Sequence, residues 1–294
     1  MEEASWVVIA VIAATLMVLA WRRSNPTAVL LVSNISIFAV TMIAFNDSYN
    51  FTAFDLGFKT PYFFEGKELW TLITSLFLHS DFTHLVFNML YLILIGFALG
   101  SRMGRWRFLA VYFIGGALGN IAFAVTEWNA DIFYVLIGSS GAISALMGAM
   151  IMLYPREKIV FPLGPIITNR FSVWLPIMVW FVLQFFLFFA DSASPVAYAA
   201  HLGGFAAGAG LAWLIRPRRA KDEEDRRRAD ISPLKALCTE PYLKEMYDYA
   251  ENAREDETRA MWVERILLHV KCPVCESGIA AKGKGFECRN GHKI

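Results

Sequence analysis

No aspartate, glutamate, lysine or arginine falls in seven stretches of this 294-residue chain, at about 5–21, 28–45, 82–100, 108–125, 136–154, 171–190 and 197–215. Each is long enough, or nearly so, to cross a bilayer as a helix. With 56% apolar residues and a mean hydropathy of +0.45, the composition excludes an ordinary soluble domain. The missing charges exclude chemistries as well. Catalysis by paired carboxylates inside the apolar layer has no carboxylates to use, and a transporter-like core would carry charge near the midplane. No HExxH segment occurs, and His79 and His84 stand five apart with no glutamate between them, which excludes a helix-borne zinc hydrolase site of that pattern. Cysteine is scarce: four in all, three of them after residue 271, which is not a disulfide framework.

The near balance of 27 Lys+Arg against 26 Asp+Glu decides nothing as a sum, but its placement does. Arg22, Arg23, Arg102, Arg105, Arg107, Arg156, Lys158, Arg170, Arg216, Arg218, Arg219 and Lys221 flank the apolar stretches on one side, and only Lys59 and Lys67 on the other. By the positive-inside rule the first side is cytoplasmic. The N-terminus and the loops 46–81, 126–135 and 191–196 then face outward, and the C-terminal tail faces the cytoplasm. The first stretch follows Glu2 and Glu3 and ends at Trp21-Arg22-Arg23 without a small-residue cleavage site, so it is expected to be a retained span. Loop 46–81 is rich in aromatics, from Tyr49 to Trp70, which suits a segment lying in the interface, either structural or substrate-admitting.

Polar side chains inside spans are functional candidates. His84 stands about two residues into its span, His201 about four and Ser140 about four, so all three share one layer below the outer surface. His84 and Asn88 share a helix face. Gly204 and Gly208 lie beneath His201, and Gly141, Ala145 and Gly148 lie beneath Ser140. Such small-residue stripes let membrane helices approach closely, which would bring the Ser140 hydroxyl to the His201 imidazole. A serine nucleophile with a histidine base is the chemistry that remains. A dyad is expected rather than a triad, because Asp81, Asp131 and Asp191 lie only in the outer loops. The Ser140 backbone N–H with the side chains of His84 and Asn88 would supply oxyanion donors.

These residues resemble a known family. Gly138-Ser139-Ser140-Gly141 resembles the rhomboid GxSG motif, whose serine is the nucleophile. Ala200-His201-Leu202-Gly203-Gly204-Phe205-Ala206-Ala207-Gly208 resembles the AHxxGxxxG pattern, whose histidine is the base. His84-Leu85-Val86-Phe87-Asn88 resembles the HxxxN segment used around the oxyanion, and His79 matches a further recurrent histidine. The resemblance covers about 27–216. It implies an all-α polytopic membrane protein: a six-helix rhomboid core over 27–216, preceded by an extra N-terminal transmembrane helix and basic turn over 1–26. The implied activity is that of an intramembrane serine endopeptidase. It would need no cofactor and would cut single-pass membrane proteins near the outer leaflet of a lipid bilayer, most simply a prokaryotic plasma membrane. The alternative is a catalytically inactive rhomboid-like protein that binds membrane helices. Three departures stand out. Trp70-Thr71 replaces a Trp-Arg pair, an acidic residue is missing from Ala98-Leu99-Gly100-Ser101-Arg102, and Ser144 stands where some members carry an aromatic that stacks on the base.

Beyond the core, 217–230 reads as a charged linker and 231–270 as a helical segment with Leu234, Leu237, Tyr242, Met246, Tyr249, Met261, Ile266 and Leu267 at helix-like spacing. Residues 271–294 have the look of a zinc ribbon. Cys272 and Cys275 sit on a CPxC knuckle, and Cys288 with His292 completes a Cys₃His set for a structural zinc. The few basic residues of the knuckle do not call for a nucleic-acid partner.

Overall fold

The computed structural model describes residues 2–21, 24–44, 49–129, 133–160, 170–190, 197–215, 226, 229–253 and 256–294. Asp131, Asp191 and most of the linker 217–230 lie outside the described residues. The chain forms two compact units, Met1–Ile215 and Arg216–Ile294.

The first unit is a helical bundle. Its helices are α1 (Glu3–Ala20), α2 (Pro26–Ala39), the short α3 (Tyr49–Leu56), α4 (Thr60–Phe64) and α5 (Thr71–Thr74), then α6 (Phe82–Tyr91), α7 (Phe97–Met103), α8 (Arg105–Thr126), α9 (Ser140–Leu153), α10 (Trp174–Ala190) and α11 (Tyr198–Leu214). A π-helical turn at Leu92–Gly96 joins α6 to α7 into one 22-residue span, where Gly96 passes close to Thr27 of α2. Among the described residues three helices are long and apolar enough, by length and composition, to cross a membrane: Glu3–Ala20, Phe82–Met103 and Arg105–Thr126.

Helix α9 is shorter than the apolar stretch that contains it. The apolar stretch begins near 136, but the helix starts at Ser140, and its 14 residues reach only roughly 21 Å at a helical rise. It tolerates this because protein surrounds it: every residue from Gly141 to Met150 is buried. Non-helical backbone is stable at membrane depth only where protein satisfies it. Here the Gly138 N–H donates to the Ser75 carbonyl at 2.9 Å, and β1 (Phe58–Lys59) pairs antiparallel with β2 (Val135–Leu136).

Small residues set the packing of the central helices. A methyl at Gly204 would strike the Gly141 backbone, one at Gly208 the Ala145 backbone, and one at Gly148 the Phe205 backbone. Thus α9 and α11 run backbone against backbone. Helix α8 closes the trio, with Gly119 against the Ala200 carbonyl.

Polar clasps hold α1 at both ends. Asp55 of α3 accepts from the Ser5 hydroxyl at 2.7 Å and from the Glu2 N–H at 3.1 Å. At the other end the Arg105 guanidinium donates to the carbonyl of Leu19, an acceptor that a helix C-terminus leaves open, and to the carbonyl of Ser24 beyond it. Midway, the hydroxyls of Thr15 and Ser33 meet at 2.7 Å. In the outer loop Lys59 is buried, paired with Glu68 and covered by the rings of Phe54 and Tyr62 at 4.7 and 5.1 Å.

The second unit holds a 3₁₀ turn (Ser232–Leu237), α12 (Pro241–Glu251), α13 (Asp256–His269) and a hairpin of β3 (Ile279–Lys282) with β4 (Gly285–Cys288). One apolar cluster joins Leu234, Leu243, Tyr247, Val263 and Ile266 to Cys272, Ile279 and Phe286. Of the apolar residues at helix-like spacing, Leu234 and Ile266 are buried and Tyr242, Tyr249 and Met261 are about half exposed, while Leu243, Tyr247 and Val263 join them in the core. Pro241 lies in the first turn of α12, where its fixed φ suits a helix start.

Candidate active site

Ser140 opens α9, and His201 is the fourth residue of α11. The glycine contacts bring these helices together so that the Ser140 Oγ lies 2.8 Å from the His201 Nε2. Both residues are half-buried. Ser140 leads its helix, so its own N–H is one of the donors that an α-helix leaves unbonded at its start.

On the other side of the His201 ring, the Nδ1 lies 2.7 Å from the Oε1 of Gln184 on α10. Trp180, one turn earlier, sets its ring 5.9 Å from the imidazole at 41°. The sequence reading did not single out either residue. The available signal was an isolated amide in the span 171–190, where a polar group without a partner is costly. The aromatic missing at Ser144 is thus matched by a ring from a different helix. Ser144 instead donates to the Ser140 carbonyl at 2.6 Å.

His84 comes to the same place from α6. The Gly138 backbone, at a φ of +124°, passes so close that a methyl there would lie 2.8 Å from the His84 Cε1 and Nε2. The Ser80 N–H donates to the His84 Nδ1 at 3.4 Å. Asp81 caps α6, with its Oδ1 accepting from the His84 N–H at 2.9 Å and its Oδ2 from the Ser80 hydroxyl at 2.7 Å. Its carboxylate is thus committed to the start of α6. Ser139 is buried and meets the His79 Nε2 at 3.2 Å, and the rings of His79 and His84 lie 5.1 Å apart. Asn88 is buried, with one amide hydrogen given to the His84 carbonyl at 3.1 Å.

In the second unit, the Sγ atoms of Cys272, Cys275 and Cys288 and the Nδ1 of His292 all lie within 4.8 Å of one another. The closest pairs are Cys275–Cys288 at 3.6 Å, Cys288–His292 at 3.4 Å and Cys272–His292 at 3.7 Å. Tetrahedral zinc with Zn–S near 2.3 Å and Zn–N near 2.1 Å needs ligand separations of about 3.6–3.8 Å, so the donors fit. Two tight turns present them, one with Glu276 at a φ of +56° and one with Gly291 at +84°. Hydrogen bonds from the Ser277 hydroxyl and backbone hold the Cys275 thiol down at about 6, which favours the thiolate that a metal requires.

Fold and site together define a class: an integral membrane helical bundle in which a serine and a histidine meet across two close-packed helices. Comparison with known proteins places the chain within it. The rhomboid domain model matches residues 66–218, and the chain belongs to the rhomboid family. YdcA of Bacillus subtilis is 43% identical over 94 residues, covering 32% of this chain and 46% of that protein. RHOMBOID-like protein 5 of Arabidopsis thaliana is 32% identical over 156 residues, covering 52% and 47%. The rhomboid protease GluP of Bacillus subtilis is 33% identical over 141 residues, covering 48% and 25%. The chain thus spans about half the length of the first two relatives and a quarter of the third.

Proposed function

We propose that this protein is an intramembrane serine endopeptidase in which Ser140 is the nucleophile and His201 the general base, cutting transmembrane segments of single-pass proteins near the outer leaflet. The observation that carries this reading is the 2.8 Å contact between the Ser140 Oγ and the His201 Nε2. The imidazole takes the hydroxyl proton as the oxygen attacks the scissile carbonyl. The Ser140 N–H and the His84 Nε2–H, with the remaining amide hydrogen of Asn88, receive the oxyanion. The imidazolium then protonates the departing amine, and water, activated by the same base, releases the acyl group from Ser140. A helical substrate must unwind first, since its carbonyls are already hydrogen-bonded. The placement of basic residues supports an orientation with the N-terminus outside and the tail cytoplasmic.

Labelling with a fluorophosphonate tests the reading. The expected result is an adduct on Ser140, absent in Ser140→Ala and strongly reduced in His201→Ala. Equal labelling of all three proteins would overturn it, and a wild type inert to label and substrate alike would favour a helix-binding role.

We also infer that Cys272, Cys275, Cys288 and His292 hold a structural zinc. All four ligand positions are filled by protein, which suits folding rather than catalysis. Metal analysis of the full chain should return about one zinc per molecule, against none in Cys272→Ser/Cys275→Ser.

A further inference from the structure

We propose that Gln184 is a positioning residue for the base: its side-chain carbonyl oxygen accepts the Nδ1 hydrogen of His201 and so leaves Nε2 bare toward Ser140. The inference rests on the serine protease reading. It starts from the 2.7 Å distance between the Gln184 Oε1 and the His201 Nδ1. Gln184 is 8% exposed in a helix whose neighbouring side chains are Leu, Val and Phe. A primary amide in that setting is costly unless bonded, and its bond goes to the catalytic ring rather than to backbone.

The chemistry fixes the direction of the bond. A neutral imidazole carries one hydrogen. If Nδ1 holds it, Nε2 has a lone pair for the Ser140 proton. If Nε2 holds it, the ring cannot act as base. An amide offering its carbonyl to Nδ1 selects the first tautomer, and as the imidazolium forms the same oxygen faces the hydrogen that remains. A carboxylate does this in many serine hydrolases. Apart from Glu3 at the start of α1, no described span holds one, and a neutral amide is far cheaper to bury than an ion. Trp180 and Gln184 stand one turn apart on α10 and touch the same ring, so one helix face both flanks the imidazole and orients it.

Gln184→Leu and Gln184→Glu test this in the full-length protein, with Ser140→Ala as the control. Leu keeps the shape and removes the acceptor, whereas Glu keeps the acceptor and adds charge. The expected result for Gln184→Leu is a fall in kcat of about 10- to 100-fold with KM within twofold, at an unchanged melting temperature. Gln184→Glu should recover most of kcat. A carboxylate beside the ring stabilises the imidazolium, so the acidic limb of its pH–rate profile should move to higher pH by about one unit. His84 is the other titratable ring acting on His201, and it is the same in all three proteins, so a displaced limb reports on position 184. A Leu variant with wild-type kcat, or Leu and Glu variants equally impaired with the limb unmoved, would overturn the assignment while leaving the protease reading intact. A wild type no more active than Ser140→Ala would overturn the protease reading itself.

Discussion

Gly208 of α11 lies against Ala145 of α9 so closely that a methyl group on Gly208 would fall within the Ala145 carbonyl. Gly208 stands seven residues, about two turns, after His201 on the same helix, and Ala145 five after Ser140 on α9. The separation of the two helices at this level therefore fixes the separation of hydroxyl and ring above it. Two residues on, Gly210 meets nothing within 4 Å. Gly208→Val is expected to abolish cleavage and lower the melting temperature by several degrees, at an overpacking cost of about 1–3 kcal/mol. Gly210→Ala should change neither. Melting curves and substrate cleavage of the two variants check this.

Gly138 answers to two demands at once. Its φ of +124° is one that side-chain-bearing residues rarely adopt, and a Cβ there would crowd the His84 ring. Gly138→Ala should therefore displace His84 from the site without loosening the bundle. Cleavage is expected to fall about 100-fold or more, the scale of losing one oxyanion donor, with melting within a few degrees of wild type. Single-turnover acylation by a fluorophosphonate measures the effect directly.

Much of this site is legible from spacing alone. Ser140, His201, His84 and their glycines declare themselves because helical periodicity converts sequence offsets into shared faces. Gln184 does not, since a single amide in an apolar run has no period and its partner lies on another helix. The start of α9 is hidden for a related reason. Leu136 and Ile137 extend the apolar stretch, but the turn at Gly138 delays the helix to Ser140, and hydropathy does not register a backbone angle. In the tail the buried face of α12 follows Leu243, Met246, Tyr247 and Ala250 at i, i+3, i+4 and i+7, which leaves Tyr242 outside it.

Lys59 carries its charge into a closed site with Glu68 and two aromatic rings. Removing one partner of such a pair strands the other. Glu68→Ala is expected to cost roughly 2–3 kcal/mol, less than a wholly buried pair because Glu68 keeps 30% of its side-chain surface. The double variant Lys59→Met/Glu68→Leu should recover most of that loss. A double-mutant cycle by denaturation in detergent reads both.

Chelation tests the tail. Stripping zinc should raise hydrogen exchange through 272–292, because the two knuckles would lose the ion that neutralises three clustered thiols. Readdition of zinc should restore protection, while a Cys272→Ser/Cys275→Ser protein should exchange fast in both conditions.

Among its described residues α10 buries only Ile177 and Gln184. The oxygen that steadies the imidazole is thus carried by the most weakly anchored stave of the bundle. Any displacement of that stave would carry the oxygen away from the Nδ1 of His201 and free the ring to turn its hydrogen toward the serine.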